Sequence, residues 1–345
     1  MSENGKYVDG SLWFYAPNKG APVFFTVAFG ASGLCHIWQC IHYKCWKLMG
    51  VYTFCALLFT SGFILREIGT FNYDNLDIFL SSTVLIYAAP PLYELGNYQI
   101  LGRILYYVPQ LAPMHPGRVL TTFAAISGIV EALNANGAIN ASNSDLPMSR
   151  QNIGKALLKA ALLIQIGVIF LFVLTAAYFQ RQCIKNGIRN AKLNGALLTL
   201  YISSALITVR TIYRIVEYFS LAKLHFEEGM DPMSFSPIIR YEWFFYVFEA
   251  VLMICNQVLW NVRHPRRYLP SSTKVYLAKD GVTEILGPGY KDERNFLVTL
   301  FDPFDIYGLI KGRDKKTRFW ENEAPTEDAS RKENNRNGAA PESTV

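Results

Sequence analysis

Charge is scarce in this chain: Asp, Glu, Lys and Arg make up 17% of its 345 residues, and most of those that interrupt apolar stretches fall toward one end of them. Histidine is scarcer, five in all. His36 and His42 stand six apart, which does not set two rings on one helical face, so no metal site is expected. No Gly-x-x-x-x-Gly-Lys-Ser/Thr phosphate loop occurs, so nothing points to nucleotide-driven work, and no cofactor or nucleic-acid partner is expected. A Ser-His-Asp order, a zinc motif and a His-box array are also missing, which argues against an enzyme. The first twenty residues lack a basic start followed by an apolar core, so no cleavable leader is expected and the first apolar run has to act as the insertion signal. The six cysteines, Cys35, Cys40, Cys45, Cys55, Cys183 and Cys255, sit within apolar runs or in connections on the basic side, so no exterior disulfide is expected.

What the chain has in abundance is long apolar stretches. They run roughly Ala21 to Gln39, Leu48 to Leu65, Asp77 to Leu95, Val119 to Leu133, Ile153 to Phe179, Gly195 to Tyr213 and Tyr241 to Val262. Each approaches the roughly 20 residues that about 30 Å of hydrocarbon demands of an α-helix. A soluble helical protein would show polar faces opposite apolar ones. Leu162 to Tyr178 is apolar all round apart from Gln165 and Thr175. The expected fold is therefore all-α, a seven-helix transmembrane bundle. The mean hydropathy of +0.16 is low only because the polar region after Pro270 dilutes it.

Orientation follows from the lysines and arginines. One grouping of connections carries Lys44, Lys47, Arg103, Arg118, Arg181, Lys185, Arg189 and Lys192, with Arg263, Arg266, Arg267 and Lys274 past the last span. The opposite grouping holds mainly Lys6, Lys19, Arg66, Arg150, Lys223 and Arg240. Positive residues favour the cytoplasm, so the N-terminus is expected outside and the C-terminal tail inside. The single Asn-x-Ser/Thr acceptor, Asn140, falls in the loop after span four on the expected outer side, a candidate glycosylation site. The implied organisation is an extracellular segment 1–20, a transmembrane domain 21–264, a cytoplasmic juxtamembrane segment 265–318 suited to docking on a membrane or a partner, and a disordered tail 319–345. No two-halves repeat is visible, and an odd number of spans argues against simple duplication.

Ionisable groups inside the spans carry the functional reading, because each costs at least about 2.5 to 3.5 kcal/mol at bilayer depth unless it meets a partner or water. In span six, Arg210, Tyr213, Arg214 and Glu217 share one helical face. In span seven, Glu242, Tyr246, Glu249, Met253 and Asn256 repeat at four, three, four and three. Both stripes must face the bundle interior. Glu67 ends span two on the outer side beside Arg66, Glu131 and Asn134 lie toward the outer end of span four, Lys159 lies near the start of span five, and Gln165 is about two turns deeper. Pairs of Arg210 or Arg214 with Glu249 or Glu242, and of Lys159 with Glu131, would line a hydrated cavity open to the outside. Ala89-Pro90-Pro91 is expected to interrupt and kink span three, with Gly128 and Gly137 thinning span four, an arrangement suited to a hinge or lateral gate.

These residues also carry a resemblance. Arg210-x-x-Tyr213-Arg214-x-x-Glu217, Glu242-x-x-x-Tyr246, Met253 and His264-Pro265 look like the signature of the fungal lipid-translocating exporter family, whose founding members are named for resistance to 7-aminocholesterol. Tyr15-x-Pro17, His36, Glu67-x-Gly69, Ala89-Pro90, Tyr93 and Leu101-Gly102-Arg103 fit in order, so the likeness covers about Tyr15 to Pro265. Ser127 stands where the family usually carries Asp, Asn134 replaces a Gln, and Glu249 replaces an Asp. The resemblance implies movement or redistribution of sphingoid long-chain bases, toxic lipids or drugs, with membrane lipids and amphiphilic small molecules as partners, the plasma membrane as the expected location, and homo-oligomerisation undecided. A cationic long-chain base suits acids such as Glu131, Glu217, Glu242 and Glu249 with an apolar wall for its tail. Seven spans and a basic tail also describe a receptor or lipid sensor, although span three ends Glu94-Leu95-Gly96-Asn97-Tyr98 and not in an acidic-Arg-Tyr motif. A membrane-embedded enzyme pairing Glu131 with Glu249 is the third class.

Overall fold

The computed structural model describes residues 11–13, 15, 17–72, 74–142, 146–222, 236–278, 280–287, 298, 302 and 305–311. Among these residues, seven helices are long and apolar enough to cross a membrane. They are α1 (Ala21–His42), α2 (Trp46–Gly69), α3 (Leu76–Tyr107), α4 (Val119–Ser142), α5 (Met148–Lys185), α6 (Ala191–Ala222) and α7. The last is composite: an α-turn Trp243–Phe245, a π-segment Tyr246–Val251 and an α-helix Leu252–Val262. The protein is a multi-pass integral membrane protein.

Burial is inverted relative to a soluble protein. Phe24, Val27, Leu34, Trp38 and Ile41 recur at helical spacing along the exposed face of α1, and Phe170, Leu171, Leu174 and Tyr178 do so on α5. Buried polar side chains, among them His36, Glu94, Asn97, Gln165, Glu249, Asn256 and Gln257, lie inside. Lipid tails tolerate the first set and penalise the second, so the bundle turns its polar groups inward. Between α1, α2, α3 and α7 runs an aromatic column in which Phe29 stacks on Phe59 at 4.3 Å, Phe59 meets Tyr93 at 6.1 Å and Tyr52 meets Trp260 at 5.7 Å.

Several helices exceed the lengths read from hydropathy, because charged and polar ends continue the helix beyond the apolar run. Span three is the clearest case. It extends 32 residues to Tyr107 and passes through Pro90 and Pro91 without a break, correcting the expected interruption. The two prolines remove amides that would serve the carbonyls of Ile86 and Tyr87, while packing on both sides holds the helix. Across the helix boundary the Cys55 thiol donates to the Ala89 carbonyl at 3.6 Å. A second correction concerns Asn140, which sits in the last turns of α4 and not in a loop; its amide donates to the Asn136 carbonyl at 2.9 Å. That end of α4 stays helical because it lies against α5 backbone to backbone: a Cβ on Gly154 would stand 2.5 Å from the Ala141 nitrogen. Only glycine permits such an approach.

The two ends of the bundle differ. At the basic end, His115-Pro116 and His264-Pro265 build the same device, a 3-10 turn whose histidine Nδ1 accepts the amide two residues on, at 3.2 Å in both. Beyond α7 the chain folds back over this end as a short antiparallel hairpin, β1 (Val275–Leu277) with β2 (Glu284–Leu286), where the sequence suggested only a juxtamembrane segment. Its turn uses Gly281 at φ +71, and Asp280 accepts the amides of Val282 and Thr283 at 3.0 Å. Tyr107 and Lys192 both reach Glu284, at 2.8 and 3.4 Å. Farther on, Asp305 pairs with Arg118 at 2.5 Å, both buried, so this part of the juxtamembrane region is bound to the bundle. The rest of 290–318 lies largely outside the described residues, and the tail 319–345 does so entirely.

Candidate functional site

Opposite the basic end, two charged clusters occupy the bundle interior. The first is built on α2 and α7. Arg66 donates to Glu242 at 2.9 Å, to the Tyr15 hydroxyl at 3.3 Å and to the Tyr246 hydroxyl at 3.4 Å, and its guanidinium lies 4.2 Å from the Phe245 ring. Glu242 also accepts from Tyr246 at 3.0 Å and from the Asn18 amide at 2.8 Å. The cluster thereby ties the segment before α1 onto α2 and α7. Burial pushes the Tyr15 phenol up to about 12, with Arg66 opposing the shift.

The second cluster belongs to α6 and α7. Arg210 Nε lies 2.9 Å from both oxygens of Glu249, which is fully buried. One turn along, Arg214 pairs with Glu217 and lies 3.8 Å from the Tyr87 ring, while the Tyr213 hydroxyl donates to Glu217 at 3.2 Å. Beside these residues a cavity of about 90 Å³ opens among α3, α4, α5 and α6, lined by Tyr87, Glu131, Asn134, Gln165, Arg210 and Arg214 among others. A water needs on the order of 10–15 Å³ by this kind of measure, so the cavity holds several waters or one small headgroup. It is too small for a whole amphiphile, whose pockets reach about 300 Å³ and more.

A polar chain leads inward from the cavity. Gln165 donates to Glu94 at 2.5 Å, Tyr98 donates to the other Glu94 oxygen at 3.0 Å, and Tyr98 meets Ser127 at 2.9 Å. Asn97, one turn on, accepts from Tyr52 at 3.2 Å and Ser203 at 2.9 Å, and Ser203 accepts from Trp260 at 3.1 Å. A void of about 10 Å³ between Glu94, Asn97 and Ser204 has room for about one water. Among the described residues, neither Glu131 nor Glu94 forms an ion pair, although both feel the charge of Arg210, whereas Arg210 and Arg214 each contact an acid directly.

The family described as RTA1 like protein matches residues 52–272, a stretch that contains the second cluster, the cavity, and Arg66, Glu242 and Tyr246 of the first cluster, but not its Tyr15 and Asn18. The chain belongs to this family. A lipid-translocating exporter-like protein RTA1 from Leptosphaeria maculans is 43% identical over 317 residues, 89% of this chain and 60% of the relative. A protein of the same name from Ajellomyces capsulatus is 30% identical over 257 residues, covering 70% and 76%. A probable lipid transporter atnI from Emericella nidulans is 25% identical over 280 residues, covering 75% and 69%. The chain thus spans 60% of the length of the Leptosphaeria protein. No solved structure matches it.

In this RTA1-like protein the residues singled out from the sequence divide. Glu131, Gln165, Arg210 and Arg214 border one cavity, with Tyr213, Glu217 and Glu249 directly behind. Glu242 and Tyr246 belong to the separate Arg66 cluster, so the expected pairing of Glu242 with Arg210 or Arg214 does not form. The π-segment accounts for the split. Each π-turn takes an extra residue, so the four-three-four-three spacing no longer keeps Glu242 and Glu249 on one stripe. Lys159 lies 5.6 Å from the Phe219 ring and not against Glu131, which bonds Asn134. Glu67 is half-buried with one carboxylate oxygen unpartnered, and Asn256 is fully buried with neither side-chain atom hydrogen-bonded; neither lines the cavity. Two residues escaped sequence reasoning. Arg66 reads in the sequence only as a span end, and Glu94 falls at the edge of the apolar run that ends at Leu95. In the full helix to Tyr107, Glu94 is mid-bundle, and a lone acid at that depth was the available signal.

Proposed function

We propose that this chain translocates amphiphiles with a cationic headgroup, of the sphingoid long-chain base type, between membrane leaflets. The observation that carries the reading is two acids that form no ion pair among the described residues, Glu131 at the cavity and Glu94 behind it, beside two arginines that each contact another acid. An ammonium headgroup would restore neutrality there, with Gln165 linking the two acids' surroundings. The cavity's size fits a headgroup alone, so the tail would lie along the apolar helices or in lipid. The names of the relatives, lipid-translocating exporter and probable lipid transporter, support transport over catalysis. We assign the basic end to the cytoplasm and the cavity end to the outside, as the distribution of lysine and arginine favours, and place the protein in the plasma membrane. Movement is facilitated, or coupled to protons through Glu94 and Glu131.

The test uses the full chain in vesicles and a fluorescent long-chain base. Protein-containing vesicles should redistribute it faster than empty ones, and Glu131→Gln should slow this about tenfold or more, the size of one charge-assisted hydrogen bond. Equal rates in empty and loaded vesicles would remove the proposal.

A further inference from the structure

A cavity far larger than the Glu131 cavity lies at the other end of the bundle. It measures about 980 Å³ and is formed by the ends of α1 and α3, the start of α2, the Pro116 turn and the chain after α7. Among the described residues, four cations line it, Lys44, Lys47, Arg103 and Arg266, and no acid does. Its apolar wall includes Ile41, Trp46, Leu48 and Leu120. Ile41 and Trp46 are 62% and 49% exposed, so this wall opens toward the surroundings of the bundle.

Three further features point to an anion. The first turn of α2 lines the cavity and no side chain caps it; the Leu48 amide is taken by the Cys45 carbonyl at 2.9 Å, and the positive end of a 24-residue helix lies beside the space. Arg266 Nε is buried without a hydrogen-bond partner. Arg103 is held in place by bonds to the carbonyls of Pro270 and Ser271, at 2.6 and 2.9 Å, so that the hairpin segment positions one of the four cations. Concentrated positive charge with free donors is costly unless an anion occupies it.

We infer that this cavity binds the phosphate-bearing headgroup of an anionic phospholipid of the adjoining leaflet, with the start of an acyl chain against Trp46, Ile41 and Leu48. A volume of about 980 Å³ suits a headgroup and glycerol with part of a chain. The open apolar wall favours a lipid over a soluble phosphate, which would have no use for it. This site is distinct from the Glu131 cavity, and its occupation is independent of what that cavity transports.

Native mass spectrometry of the full-length protein, offered equimolar phosphatidic acid and phosphatidylcholine, tests the assignment. One phosphatidic acid should be retained per chain. Lys44→Gln with Lys47→Gln should weaken retention about 30-fold, on the order of fivefold for each charge removed. Lys185→Gln with Arg189→Gln, removing two charges from the same end outside the cavity, should leave it unchanged. Arg266→Gln alone is the second variant and should cost about fivefold. Equal losses in the cavity and control variants would reduce the effect to diffuse surface charge and overturn the site. Absence of preference for phosphatidic acid would overturn it too, and displacement by millimolar inorganic phosphate would transfer the site to a soluble ligand.

Discussion

Replacing Glu249 by Gln tests whether α6 and α7 are joined by charge. The carboxylate is fully buried and holds Arg210 Nε at 2.9 Å from each oxygen, while the Arg210 side chain is 11% exposed. Breaking one side of a buried pair costs about 3–5 kcal/mol. Because Arg210 borders the cavity and can recover water there, the lower figure applies, about 3 kcal/mol, or more than a hundredfold in the unfolding constant. Arg210→Gln alone strands the carboxylate, which has no route to the cavity, and should cost as much or more. The double variant leaves no stranded charge, so its loss should fall short of the sum by about 1–3 kcal/mol. Denaturation of the purified protein in neutral detergent, followed by tryptophan fluorescence, measures all three. Losses that add to within about 0.5 kcal/mol would refute the coupling and reduce the pair to a coincidence of packing.

Three other outcomes are expected. Gly154→Val places a Cβ 2.5 Å from the Ala141 nitrogen, so it should destabilise by about 1–3 kcal/mol or more and part α4 from α5, read as lost expression and as loss of the disulfide cross-links that cysteine pairs placed across that seam otherwise form. Arg118→Gln should release the segment around Asp305, making 302–311 cleavable by added protease while the bundle survives; unchanged cleavage would show that the pair does not hold it. Tyr15 is pushed up to about 12 by burial, above its ordinary 10.0. A raised folded value means stability is complete below about pH 10 and is lost as pH rises toward 12, up to about 2–3 kcal/mol from this group. Tyr15→Phe should flatten that alkaline fall, and an unchanged slope would assign it elsewhere.

The membrane class, the number of passes and the inward polar stripe of α6 were legible because they depend on composition and on 3.6-residue spacing alone. Arg210, Arg214 and Glu217 fall where periodicity put them. Failure came where a local irregularity or a neighbour's direction mattered. The π-turn at Tyr246–Val251 rewrote the stripe of α7, and no spacing rule applied to a regular helix could foresee it. Hydropathy also ended α3 too early, because a helix interior to a bundle tolerates Glu94, Asn97 and Gln99 without ceasing to be helix. The Asp280-Gly281 turn between Val-Tyr-Leu and Glu-Ile-Leu is a local hairpin signal that hydropathy does not register.

Taken alone, the order of residues determined that this protein lives in a bilayer and that its ionisable groups had to turn inward, since the cost of exposing them to hydrocarbon is fixed by side-chain chemistry. Which acid met which base was decided only in three dimensions. Arg66 rather than Arg214 took Glu242, and Glu131 and Glu94 formed no ion pair among the described residues, because pairing depends on the rotation of each helix about its own axis. That rotation is set by glycine contacts, by a π-turn and by aromatic packing between segments far apart in the chain.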